Sequence, residues 1–249
     1  MSSIPKPLAP TGTDQQAPAT TTAAATITTT TTEAAVLDTQ DASGRLPAAA
    51  AAGAAELARA KLELQRSLKV FPDFPIPGIN FIDILPLFQR PATHNTLLRA
   101  LELQVHQQFG AGAALAARPD VVVGLEARGF LFGPALALRL GASFVPVRKQ
   151  GKMPGPCVTA AYEKEYGLDH FQMQEGAIAP GQKVLVVDDI VATGGSAAAA
   201  ASLVTQLGGT MLGYLFVLEI PFLKGRDKLG GLPTITLLDW NVETTACTT

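Results

Sequence analysis

The chain has 249 residues, 47% of them apolar, 6% aromatic and only 16% charged, with a formal net charge of −2 at pH 7. That length suffices for a full hydrophobic core without cross-links, and the near-neutral balance excludes a broad basic face for nucleic acid or a polybasic membrane patch. The two cysteines, Cys157 and Cys247, lie far apart in sequence with no histidine at metal-ligand spacing, so neither a disulfide framework nor a zinc site is legible, and a reducing compartment fits.

Residues 1–58 are proline-bearing, then almost wholly threonine and alanine from Thr20 to Thr32, then polyalanine from Ala48. They lack the branched and aromatic side chains whose burial offsets ordering entropy, which predicts a disordered extension, with a nascent helix through the alanines, ahead of a domain over 59–249. A transit peptide is the competing reading. Such peptides are arginine-rich and poor in acids, whereas Lys6 and Arg45 here face Asp14, Glu33, Asp38 and Asp41. Mean hydropathy is +0.24, raised by alanine, and no apolar run reaches the roughly 18 residues of a spanning helix.

From Glu56 to Lys69, Leu57, Leu64 and Leu68 recur near helical intervals and predict an amphipathic helix. The segment Phe71-Pro-Asp-Phe-Pro-Ile-Pro-Gly78 predicts a stiff extended loop that presents Phe71 and Phe74. Asn95–Phe109 reads as helix. Asp120–Gly124 reads as strand, Glu126-Ala-Arg-Gly129 as loop and Phe130–Leu140 as helix. Ser143–Val147 is a second strand, and Arg148, Lys149 and Lys152 then cluster among glycines and prolines as a mobile basic lid. Lys183–Val187 is a third strand, Ala197–Leu207 a helix, and Tyr214–Leu218 and Thr234–Leu238 supply later strands. Strands alternating with helices predict an α/β domain with a largely parallel sheet buried on both faces, whose ligands sit at the carboxyl ends of strands.

Chemistry concentrates in Val184-Leu-Val-Val-Asp-Asp-Ile-Val-Ala-Thr-Gly-Gly-Ser196. Thr193, Gly194, Gly195 and Ser196 can turn amides and hydroxyls toward one point, and the helix after them adds its positive end, which makes a cradle for a phosphate monoester. Asp188 and Asp189 beside it suit ribose hydroxyls or magnesium, so the pattern points to a sugar phosphate. A strand end with an ordinary capped helix is the plainer reading; the paired acids argue against it. Neither G-x-x-x-x-G-K-S/T nor G-x-G-x-x-G occurs, which removes the P-loop and dinucleotide readings, and too little chain remains beyond the acids for a phosphorelay receiver domain.

This stretch resembles the phosphoribosyl pyrophosphate (PRPP) signature of the type I phosphoribosyltransferases. Phe71–Leu87, Gly124–Pro134, Val147–Gly155 and Tyr162–Gly167 are similar to the adenine phosphoribosyltransferases, particularly their fungal form. The resemblance implies an α/β type I phosphoribosyltransferase fold, with a mostly parallel central sheet flanked by helices, a small hood and a flexible lid. It implies transfer of the 5-phosphoribosyl group from PRPP to N9 of adenine, giving AMP and pyrophosphate in purine salvage, with Mg2+ carried mainly by PRPP. A cytoplasmic homodimer is implied, with no nucleic-acid or membrane partner.

By the same resemblance, Ala192, Thr193, Gly194, Gly195 and Ser196 hold the 5′-phosphate, and Asp188 and Asp189 hold ribose hydroxyls directly or through magnesium and water. Arg128 grips pyrophosphate, with Ala127 standing where relatives often carry serine. Arg148 and Lys152 supply the lid cations. Glu165, with Tyr166 next in the chain, exchanges a proton with the purine. Phe81 stacks on adenine against Ile190, backbone groups near Asn80 read its edge, and Ile82 replaces an arginine of animal relatives. A PRPP-binding regulator without catalysis, and a transferase for another base such as orotate, are the alternatives. His94, His106 and His170 form no defensible ligand or triad pattern and read as structural or surface residues.

Overall fold

The computed structural model describes residues 48–74, 77, 80–110, 118–164 and 167–239, all within one compact unit, Gln40–Thr249. Most of residues 1–58, together with Glu165, Tyr166 and Cys247, lies outside the described residues.

Helix α1 (Ala48–Ser67) precedes strands β1 (Lys69–Phe71) and β2 (Phe81–Asp83), which pair antiparallel, Val70 opposite Ile82. The proline-rich segment, expected as a plain loop, is thus bracketed by a short ribbon. Helix α2 (Pro91–Phe109), β3 (Val121–Leu125), α3 (Gly133–Leu140) and β4 (Ser143–Lys149) come next. They lead to a hairpin of β5 (Cys157–Lys164) and β6 (Gly167–Gln174), then β7 (Lys183–Val191), α4 (Gly195–Gln206), β8 (Thr210–Glu219) and β9 (Thr234–Asp239). The sheet runs β5-β6-β4-β3-β7-β8-β9. Its five strands from β4 to β9 are parallel, and the β5–β6 hairpin adds antiparallel at the β4 edge.

Val121, Val122 and Val123 are all fully buried, because helices cover one face of β3 while α4 and the hairpin cover the other. Leu57 and Leu64 of α1, Leu97 and Leu101 of α2 and Leu136 of α3 pack with Leu185 and Val187 on one side. Ala200, Leu203 and Val204 of α4 join Val184, Val186, Phe171 and Met173 on the other. Each buried aliphatic side chain contributes about 1.5–3 kcal/mol relative to exposure. Helix α3 approaches the sheet closely because Phe144 lies across Gly124 and Gly133: a Cβ at either would sit 2.7 Å from its ring.

Helix α1 reaches back to Ala48, ahead of the expected boundary at 59 and through the polyalanine tract. Alanine has the highest helix propensity, and Leu57, Ala60 and Leu64 seat the helix in the core, so a tract without branched side chains is ordered by the leucines downstream of it. Beyond the basic segment Cys157 opens β5, whose buried Ala160 lies opposite Phe171 and whose buried Tyr162 stacks on the same ring, with centroids 4.4 Å apart. No helix of the described residues is long and apolar enough to cross a membrane.

Candidate active site

Strand β7 outruns the expected Lys183–Val187 by four residues, so Asp188, Asp189 and Ile190 project from the strand itself at its carboxyl end. Directly after it, the chain turns through Ala192–Gly194 into α4. Gly194 adopts φ +77°, the left-handed region that glycine enters without penalty. There is a second reason for glycine: a Cβ at Gly194 would lie 2.2 Å from the carbonyl oxygen of Gly225, and one at Gly225 would lie 2.3 Å from that of Ala192. Two backbones therefore touch directly behind the turn. The Gly225 segment is clamped by Arg226, whose Nε and Nη2 donate to the two carboxylate oxygens of Glu219 at 2.7 and 2.5 Å and whose Nη1 donates to the Thr234 carbonyl at 2.7 Å. Glycine content alone did not single out this support.

A cavity of about 290 Å3 opens over the turn, lined by Arg128, Asp188, Asp189, Ile190 and the run 192–196. These are the sequence-predicted phosphate, ribose and pyrophosphate residues, together with Ile190, which was expected against the base, all brought to one strand end. The first turn of α4 faces the cavity with its amides, a favourable place for an anion. Opposite, the Arg128–Gly129 turn lies so close to β7 that a Cβ at Gly129 would be 2.8 Å from the Val187 carbonyl. Arg128 pairs with the Asp189 carboxylate, and the Asp189 N–H donates to Asp188 Oδ1 at 2.9 Å. Asp189 is buried. Enclosure first, and the neighbouring Asp189 carboxylate second, push the Asp188 carboxyl well above the ordinary range.

The basic segment is anchored more firmly than a free lid. Arg148 and Lys149 are the last residues of β4, opposite Gln172 and Phe171 of β6, because the hairpin extends the sheet past the expected strand end. Beyond it, the Gln150 N–H donates to the His170 carbonyl and that of Gly151 to Gln172 Oε1, both at 2.9 Å. Among the three cations, Lys149 lines the cavity, although Arg148 and Lys152 were the ones selected from sequence. Those two instead meet on Glu126: Lys152 Nζ at 2.8 Å and Arg148 Nη2 at 3.3 Å, with the Lys149 N–H donating to the other oxygen at 3.1 Å. Burial alone would raise the Glu126 carboxyl; Lys152, the Lys149 amide and Arg148 outweigh it and hold it at about 2.

Of the predicted base-binding residues, Ile190 lines the cavity but Phe81 and Asn80 do not. Phe81 is partly buried in β2 and meets Phe74 edge-on, with ring centroids 5.2 Å apart, and Asn80 is exposed. Glu165 and Tyr166 fall in the two positions between the paired Lys164 and Gly167, outside the described residues. Among the described residues no group of three or more His, Cys, Asp or Glu side chains gathers as a metal cage.

A phosphoribosyl transferase domain model matches residues 95–219. An adenine phosphoribosyltransferase of Yarrowia lipolytica is 57% identical over 176 residues, covering 71% of this chain and 93% of that protein. The chain belongs to the adenine phosphoribosyltransferase family. Its Debaryomyces hansenii relative is 54% identical, with 76% of this chain and 96% of the relative covered. The crystal structure of adenine phosphoribosyltransferase from Saccharomyces cerevisiae, complexed with D-2,5-dideoxy-2,5-imino-altritol 1,6-bisphosphate and adenine, superposes with a TM-score of 0.68 at 52% identity, over 73% of this chain and 99% of that one. The type I phosphoribosyltransferase fold expected from sequence is thus the observed one.

Proposed function

We propose that this chain transfers the 5-phosphoribosyl group of PRPP to N9 of adenine, releasing AMP and pyrophosphate. The observation that carries the reading is the single cavity in which an acid pair, Asp188 and Asp189, stands beside an anion cradle built from the first turn of α4. In the reaction the C1–O bond to pyrophosphate breaks with its electron pair leaving on oxygen, an N9–C1 bond forms, and adenine gives up one proton. Charge therefore accumulates on the leaving group while the sugar becomes cationic.

Residues 192–196 hold the 5′-phosphate and fix the ribose in place. Asp188 and Asp189 accept hydrogen bonds from its hydroxyls and offset the developing positive charge. Arg128, Lys149, Arg148 and Lys152 receive the pyrophosphate. Two adjacent carboxylates fit an ion that keeps most of its water and rides on the diphosphate, as magnesium does; Asp188 and Asp189 would hold it through water, and it would neutralise the leaving group. Glu165, with Tyr166 beside it, exchanges the proton with the purine ring, and Phe81, Ile190 and backbone near Asn80 enclose the base. Ile82 has no polar group to read adenine, so selection rests on the backbone.

Incubating the protein with adenine, PRPP and magnesium should yield AMP and pyrophosphate. Saturable PRPP binding without AMP would make it a regulator, and hypoxanthine, guanine or orotate consumed as readily as adenine would reassign the base. Glu165→Gln should lower kcat about a hundredfold with PRPP affinity retained; wild-type turnover removes that role. A homodimer in the cytoplasm, with residues 1–47 dispensable for turnover, completes the reading, and sedimentation and activity of the truncated chain test it.

A further inference from the structure

Glu126 closes β3 and opens the turn that carries Arg128. Its own N–H is pinned to the Val147 carbonyl at 3.0 Å, so its carboxylate is a fixed point on the cavity wall. Its side chain is 12% exposed, while Arg148 and Lys152, which converge on the same oxygen, are 36% and 49% exposed. One carboxylate thus holds two cations that would otherwise repel each other, leaving the group with a net positive charge beside an anion site. The arrangement also leaves a donor unmet. Among the described residues the Arg148 Nε is buried without a hydrogen-bond partner, although Nη1 donates to the Lys152 carbonyl and Nη2 to Glu126. A phosphate group can take Nε and Nη2 of a guanidinium together; the present pairing does not.

We propose that Glu126 is the resting counter-ion of the basic segment, a positioning residue that yields Arg148 and Lys152 to pyrophosphate on donor binding and reclaims them as pyrophosphate departs. This rests on the transferase reading above. Exchange of a singly charged carboxylate for a multiply charged diphosphate favours loading. The returning Glu126 then competes for the cations and repels the leaving anion, which hastens release.

The full-length Glu126→Gln variant should be inhibited by pyrophosphate at a three- to fivefold lower concentration, the order of an exposed ion pair. KM for PRPP should fall alongside it and kcat should fall because release slows, while Glu126→Asp stays near wild type. If pyrophosphate inhibition and KM are unchanged or weaker in Glu126→Gln, Glu126 is scaffold only and the proposal is wrong. Should that variant not fold, wild-type crystals with magnesium pyrophosphate decide: Lys152 Nζ more than about 4 Å from Glu126 and on a phosphate oxygen supports exchange, and Lys152 still on Glu126 overturns it. Absence of AMP formation by the wild-type protein would instead count against the transferase reading.

Discussion

The two halves of the anion site are built from different materials. The turn over 192–196 offers backbone amides and a helix end, fixed by a glycine-on-glycine contact with the Gly225 turn, and carries no formal charge of its own. The opposite wall offers charged side chains that already have partners: Arg128 on Asp189, Lys149 on Asp169, and Glu126, which holds Arg148 and Lys152. Dipoles held by packing need no rearrangement to receive a phosphate, whereas paired cations must change partner. The first kind suits the group that stays on the sugar through the reaction, and the second suits the group that must leave.

The largest effect should come from breaking the packed half. Gly194→Ala forces a Cβ against the Gly225 carbonyl at positive φ, and is expected to lower kcat/KM for PRPP about a hundredfold by displacing the cradle. Melting temperature should fall by about 5–10 °C. An unchanged KM would show that the amides do not hold the phosphate. On the charged half, Lys152→Met should lower kcat/KM about tenfold and flatten its dependence on ionic strength, with little change in melting temperature, because Lys152 is half exposed.

Smaller effects separate function from stability. The Asp188 carboxyl is raised above its ordinary 3.8, so the folded state holds that proton more tightly than the unfolded chain. The resulting stability is full below that value and is lost as pH rises through the folded pKa. Asp188→Asn should therefore melt about 2–4 °C higher than wild type near neutral pH, converge with it in acid, and turn over more slowly. Glu126 has the opposite sign. With its carboxyl held at about 2 against 4.5, it stabilises the fold above 4.5, and that contribution disappears as pH falls towards 2. Acid titration of Glu126→Gln should lack this component of the slope.

Much of this architecture could be read from local pattern. β3, β7 and the centre of β8 are buried on both faces and announce themselves as unbroken apolar runs, and the acid pair with its glycine turn is contiguous. Features that depended on distant contacts could not. In β5 the inward Ala160 and Tyr162 are separated by Ala161 and flanked by Thr159 and Glu163, a pattern too weak to outweigh the prolines and glycines before it. Lys149 and Lys152 look alike in sequence, and only the extension of β4 by β6 turns the former to the cavity while the latter reaches Glu126. Helix α1 reaches into the polyalanine because α2 gives it a surface to bind. Glu126 itself reads as one more loop acid until Arg148 from the end of β4 and Lys152 from the turn beyond it arrive.

The Gly225 contact couples the PRPP-signature turn to a stretch of chain with no chemistry of its own. Through Arg226, Glu219 and the Thr234 carbonyl, the spacing of β8 and β9 sets how far that turn can lean. On the proposed reading, substitutions at the far edge of the sheet that never meet the ligand are expected to alter donor affinity, and a search for variants with altered PRPP requirement should begin there rather than in the cavity.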